Sequence, residues 1–260
     1  MKIDLHCHTK FSDRPSEYIL RKAGCPESFL EPIWVYRTAR QRGMTHVTIT
    51  DHDTIDGALQ IAHLPGAFVS VEVTASFPSD GCKVHVLVYD LNESQFADIQ
   101  KIRSNIYDLV AYLRNQRLPH ALAHPLYAVN GRLTLERARE LLLLFDVLEL
   151  NGSRNAELND ALHAAARQVT PVDLQVWRNH IKPPILHEPK AQKRFVGGSD
   201  DHSGLFLASR WTRADATGPR DLFDQVADGK IIVEGAPPSP RSFARTLYSI
   251  GFQFARRRSA

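Results

Sequence analysis

The sequence predicts an α/β fold whose strand ends surround one mouth. Short runs rich in Val, Ile and Phe alternate with segments of helical period along 260 residues. Histidines and acids recur in or just beyond those runs: Asp4-Leu5-His6-Cys7-His8, Thr50-Asp51-His52-Asp53, Val71-Glu72-Val73, Val84-His85-Val86, Ala123-His124-Pro125 and Gly198-Ser199-Asp200-Asp201-His202. An open doubly wound sheet focuses its site at one switch point, whereas a closed barrel brings all strand ends to one rim. Ligand candidates on so many separate strands fit the barrel.

The strands are expected at Lys2–Leu5, His46–Thr50, Phe68–Val73, Lys83–Tyr89, Ala121–His124, Val147–Leu150, Phe195–Gly198 and Ile231–Val233, in a mainly parallel sheet. Between them, Glu31–Arg42 follows a capping-box pattern begun at Ser28 and stops at Gly43. Glu93–Gln116 reads as one helix, with Phe96, Ile99, Ile102, Ile106, Leu109, Val110 and Leu113 at helical spacing after an Asn92/Gln95 start signal. Leu135–Phe145 and Asn155–Arg167 are the next helices. Phe11 to Leu30 and Ala166 to Arg194 carry prolines and read as loops with short helices over the mouth. Ser242–Ala260 places Phe243, Leu247, Ile250 and Phe254 on one helical face before Arg256-Arg257-Arg258. Residues 1–235 form the expected main domain, and residues 236–260 a C-terminal amphipathic basic helix that packs on it or provides an oligomer, membrane-surface or attached-domain contact.

Composition narrows the class. An apolar content of 43% supplies a core, and a net charge of +3 lacks the concentrated basic stripe of a dedicated nucleic-acid binder. Three cysteines without a C-x-x-C pair argue against a disulfide framework and point to a reducing, cytoplasmic setting. The N-terminus lacks a signal-peptide pattern, and the longest apolar run, Leu141 to Phe145, is far too short to span a bilayer.

The chemistry starts at His6 and His8. Residues i and i+2 of a strand share a face, so the two imidazoles project together while Cys7 points away. Paired imidazoles suit a transition metal, and the ordered series that follows points to a multinuclear centre. Glu72, between two valines, is a costly buried carboxylate unless it is paired or metal-bound. A mixed nitrogen and oxygen donor set suits manganese, iron or zinc better than magnesium. His46, His63, His120, His163, His180 and His187 match no ligand pattern and are assigned to surface positions or ordinary hydrogen bonding, with His187, in the long loop, set apart as the exception to consider.

Taken together and in this order, the segments from Asp4 to His202 resemble the PHP family, the polymerase-and-histidinol-phosphatase superfamily of metal-dependent phosphoesterases. The resemblance implies a distorted seven-stranded (β/α) TIM-like barrel with two or three divalent ions. It implies that His6, His8 and Asp200 hold a first ion, that Glu72 bridges it to a second held by His85 and His124, and that Asp13, His52 and His202 hold a third. Asp51, Asp53 and Asp201 become orienting groups, and Glu149 and Asn151 either support the site or touch substrate. An amidohydrolase barrel would typically bridge its ions with a lysine, where this chain has Glu72.

The function expected from that resemblance is hydrolysis of a phosphomonoester or small nucleotide-like phosphate by a metal-activated hydroxide, with His202 or Asp200 assisting proton movement. Arg154 and Arg132 are the candidate phosphate-binding forks. The alternatives are an exonuclease, disfavoured by the modest charge, and a noncatalytic metal-binding module that regulates an attached enzyme.

Overall fold

A computed structural model describes residues 1–12, 22, 24–153, 156–181 and 185–258 of the chain. Among these, a five-stranded mixed sheet contains β2 (Ser70–Ser76), β3 (Lys83–Tyr89), β4 (His120–Leu122), β5 (Val147–Asn151) and β6 (Arg194–Gly198), in that order. A second, antiparallel sheet places β7 (Arg210–Ala214) between β1 (Lys2–Ile3) and β8 (Ile231–Gly235). The mainly parallel sheet expected is only half realised: β2, β3 and β4 pair antiparallel, and the parallel pairs are β4 with β5 and β5 with β6. The chain between Ser76 and Lys83 is far too short for a crossover, so β2 and β3 can only return antiparallel.

The strands do not close into a continuous seven-stranded barrel. Residues 46–50, expected as a strand, make an isolated bridge from Val47 to Ala67, and single bridges join His52 to Glu72 and Cys7 to Asp201. Side chains occupy the places where ladder bonds would run. The Cys7 amide donates to Thr50 Oγ1 at 3.2 Å, and the Thr9 amide donates to Asp51 Oδ1 at 2.6 Å. β7 had no sequence counterpart in the expected strand set.

The helices are α1 (Pro32–Gln41), α2 (Asp56–Ile61), α3 (Glu93–Ile102), α4 (Ile106–Asn115), α5 (Leu135–Leu144), α6 (Ala156–Gln168), α7 (Pro171–Arg178), α8 (Pro219–Asp228) and α9 (Pro240–Arg258). The expected capping box at Ser28 does not form: Glu31 occupies the N-cap without a side-chain bond, and Pro32 starts the helix. The long helix expected over 93–116 is two. Asn105 breaks it by capping α4 through the Tyr107 amide, whereas Asn92 and Gln95 form a full capping box on α3. No helix of the described residues is long and apolar enough to cross a membrane.

The pleat divides β2 and β3 into two chemistries. Val71, Val73 and Ala75, with Val84, Val86 and Val88, pack outward against Ile99, Ile106, Leu109 and Leu113 of α3 and α4. The alternate positions point inward. Leu87 and Tyr89 join Ile3, Leu5 and Val196 in an apolar floor, while Glu72 and His85 stand farther along as buried polar groups. Each fully buried aliphatic contributes about 1.5–3 kcal/mol, which secures the strands independently of the polar face.

His120 is among the histidines assigned to ordinary bonding. Its Nδ1–H donates to the Leu118 carbonyl at 2.8 Å, and its ring meets Phe145 edge-on. Burial drives its pKa down to about 4 from an unfolded value of 6.5. A folded value below the unfolded one makes the unfolded chain the better proton acceptor, so this stability is complete above pH 6.5 and is lost as pH falls towards 4. Urea titrations between these limits should show His120→Phe losing less stability than wild type, by up to about 3 kcal/mol. Parallel pH profiles would refute neutral burial of this ring.

Candidate metal centre

Five imidazoles surround one carboxylate. Glu72 Oε2 lies 3.1 Å from His6 Nε2, 3.2 Å from His8 Nε2 and 3.1 Å from His52 Nδ1, while Oε1 lies 2.9 Å from His85 Nδ1 and 3.1 Å from His124 Nε2. Asp200 Oδ1 approaches the Nε2 atoms of both His6 and His8 at 3.4 Å. Glu72 is fully buried, and leaving such a carboxylate uncompensated costs several kcal/mol.

Hydrogen bonds behind the imidazoles fix which nitrogen faces inward. The His6 Nδ1–H donates to Glu149 Oε1 at 2.7 Å, so Nε2 of the neutral ring carries a lone pair. Ser12 gives its hydroxyl proton to Asp51 Oδ1 at 3.0 Å and therefore accepts from His8 Nδ1–H at 2.9 Å. His8 Nε2 is then also a lone pair, and the two Nε2 atoms stand 3.0 Å apart, facing the Glu72 carboxylate. His202 repeats the device: its Nδ1–H meets the Asp200 carbonyl at 3.1 Å, leaving Nε2 as an acceptor. His52 Nδ1, His85 Nδ1 and His202 Nε2 are buried without a hydrogen-bond partner among the described residues. Acceptors converging on acceptors call for shared cations. The separations agree, because two donors each about 2.0–2.1 Å from one ion lie roughly 3.0–3.4 Å apart.

Protons answer the same need when no cation is bound. Burial lowers the affinity of His6 for a proton, but Glu149, Glu72 and Asp200 outweigh it and hold the ring well above its ordinary value. His8 is likewise opposed by burial, yet Asp200 and Glu72 raise it to about 9. His202, dominated by burial and repelled by His8, falls to about 3.

The donors fall into three groups that could each hold a metal ion: His6 with His8 and Glu72; His52 with Glu72 and His85; and His8 with His52 and His202. His124 and Asp200 adjoin them through the contacts above. Their backbones are constrained, with His124 at φ 28° and Asp200 at φ 51°, a region that non-glycine residues rarely adopt. Gly198 lets β6 approach, since a Cβ there would sit 2.4 Å from His6 Cβ.

The remaining sequence candidates separate clearly. Glu149 is wholly buried; besides His6 it accepts from the His124 amide at 2.8 Å and from Asn151 Nδ2 at 3.0 Å, and Asn151 also reaches Asp200 Oδ2 at 3.1 Å. Both residues therefore hold His6, His124 and Asp200 in place through hydrogen bonds. Asp51 receives the Thr9 hydroxyl and amide, and Asp201 receives Ser203 and Gly204 amides. Asp53 pairs with Arg103 at 3.1 Å. Arg132 donates to the Asp80 carbonyl and does not line the cavity at the centre's mouth. Asp13 and Arg154 lie outside the described residues. His187, the exception considered among the unassigned histidines, bonds the Leu143 carbonyl at 3.0 Å instead.

Two features were missed in the sequence. Glu27 is buried with its carboxylate between His52 and His202. A cavity of about 1040 Å³ opens beside His52 and His85, lined also by Lys10, Phe11, Lys83 and Arg103. Lys83 precedes His85 by two positions on β3, so the strand period alone could have placed both on one face.

Glu149→Gln should leave the fold intact but remove the charge behind His6 and turn one of the two accepting oxygens into a donor. Metal titration is expected to show affinity reduced about 10–100-fold, and an unchanged affinity would refute the orienting role.

No protein-family profile matches the sequence. An uncharacterized protein of Methanocaldococcus jannaschii is 40% identical over 73 residues, a stretch covering 28% of this chain and 40% of that protein. The fold is similar to that of the lesion-specific endonuclease EndoQ of Pyrococcus furiosus, with a TM-score of 0.55 and 16% identity over 91% of this chain and 59% of that one. It is similar to an amidohydrolase of Chromobacterium violaceum, with a TM-score of 0.55 and 15% identity over 92% and 99% of the two chains. It is also similar to a two-domain protein of Bacteroides vulgatus containing a predicted PHP-like metal-dependent phosphoesterase, with a TM-score of 0.51 and 13% identity over 95% and 69%. The chain resembles the PHP family in its fold as well as in its motifs.

Proposed function

We propose that the chain is a metal-dependent phosphoesterase acting on a phosphomonoester or a small nucleotide-like phosphate. The observation that carries this reading is the convergence of ring nitrogens from His6, His8, His52, His85 and His124 on the Glu72 carboxylate. The donor set of imidazoles and carboxylates fits manganese, iron or zinc. Such ions, when bound, neutralise phosphoryl oxygens and acidify water.

The chain's own residues divide the remaining work. Glu149, Ser12 and the Asp200 carbonyl hold the tautomers of His6, His8 and His202. In this reading His202 and Asp200 assist proton movement, Asp200 through the carboxylate that faces His6 and His8. Lys10 and Lys83 bring positive charge to the cavity wall, and Phe11 offers an apolar surface there. Arg103 is engaged by Asp53 and the Thr74 carbonyl, so it stiffens the wall. The bridges from Cys7 to Asp201 and from His52 to Glu72 support reading the fold as a broken form of the expected barrel.

A second reading, a nuclease, draws on the fold shared with EndoQ and on the basic residues at the mouth. Manganese-loaded protein tested against phosphomonoesters, nucleotides, labelled oligonucleotides and carboxamides separates the possibilities. Phosphate release from small esters is expected; no ester turnover at confirmed metal occupancy would overturn the proposal. Lys83→Ala should raise KM for the accepted ester about tenfold, with a smaller change in kcat.

A further inference from the structure

We propose that Glu27 is itself a metal ligand, completing a cation position with His52 and His202, and that the C-terminal helix α9 holds it there. This inference rests on reading the centre as metal-binding.

The two oxygens of Glu27 face different imidazoles. Oε2 lies 3.3 Å from His52 Nε2, and Oε1 lies 3.5 Å from His202 Nε2. Charge-assisted hydrogen bonds between such groups run to about 2.7–2.9 Å. At His202 a hydrogen bond is also chemically excluded for the neutral ring, because its one N–H is committed to the Asp200 carbonyl. A carboxylate oxygen and an imidazole lone pair face one another at the separation that two ligands of a single tetrahedral ion adopt, about 3.4 Å. Glu27 is only 3% exposed, which keeps its carboxylate at the buried imidazoles rather than in solvent.

The loop bearing Glu27 is fixed by the far end of the chain. Cys25 and Phe29, on either side of Glu27, pack in one apolar cluster with Leu247, Ile250 and Phe254 of α9. The Arg257 guanidinium lies 4.8 Å from the Phe29 ring centre. On the opposite side, the Lys10 amide donates to the Leu30 carbonyl at 2.9 Å, tying the loop to the segment after His8. The apolar face of α9 thus acts on a ligand and not merely on the core. Cys25 and Pro26 also line the large cavity, so the same loop connects an ion to the wall of the substrate space.

The test counts ions. The 260-residue wild type, Glu27→Gln and Ile250→Ala are loaded with Mn²⁺, freed of excess, and assayed by elemental analysis and by Mn²⁺ titration followed by electron paramagnetic resonance. Glu27→Gln is expected to lose one equivalent while keeping the others, and Ile250→Ala to bind that same ion about 10-fold more weakly. Glu27→Gln with wild-type stoichiometry and affinities would overturn the ligand role, and unchanged binding in Ile250→Ala would overturn positioning by α9. Wild type that takes up no Mn²⁺ would instead remove the metal reading as a whole, which distinguishes that failure from the first. Should Glu27→Gln not fold, Glu27→Asp keeps the charge but withdraws the oxygens by one methylene; loss of the same equivalent supports the assignment, and full retention refutes it.

Discussion

The constraint on which the structure turns is the burial of Glu72 among imidazoles whose lone pairs also point inward. A carboxylate in this position is untenable alone, and so is a cluster of buried imidazoles with nothing to share between them. Cations resolve both conflicts together. Three other buried carboxylates, Glu149, Asp51 and Asp4, surround the cluster rather than enlarging it. Glu149 sets His6, Asp51 sets Ser12 and thereby His8, and Asp4 receives the Ser199 and Ala208 amides that shape the turn before Asp200. Acidic groups in this shell act through the imidazoles they orient.

The pleat makes this arrangement affordable within a small domain. On β2 and β3 the outward valines anchor to α3 and α4, so strand pairing draws its stability from a face that the polar centre never touches. The inward face changes from apolar to polar along its length, with Tyr89 and Leu87 in the floor and His85 and Glu72 above it. Regular pairing lapses at residues 4–8 and 46–52, and side-chain bonds to Thr50 and Asp51 take over. The interruption leaves residues near His8 and His52 free to turn their side chains towards the centre.

Much of this was legible in the residues. Period-two alternation identifies the paired faces of His6 with His8, and of Glu72 with the apolar strand around it, because side-chain direction in a strand is a local property. Capping at Asn92 is local too, and it forms as read, whereas Ser28 does not cap α1 because Pro32 already starts that helix with Glu31 at its N-cap. The break at Asn105 was hidden by apolar spacing that runs through both helices without interruption, while a side-chain cap on the Tyr107 amide ends the continuity.

The sequence by itself determined the donor types, their order, and which strand residues share a face, since these follow from covalent geometry and side-chain chemistry. Tertiary structure decided which donors meet. Glu27 sits among residues without ligand spacing, and it becomes a buried acid beside His52 and His202 because Cys25 and Phe29 dock on α9. Arg132 was a reasonable anion-binding candidate by position, but Asp80 lies close enough to engage it. Sheet direction was likewise decided by a short connection from β2 to β3, and the lack of a closed barrel by segments around Cys7 and His52 that make only single bridges. These outcomes depend on contacts between residues far apart in the chain, and no local pattern encodes them.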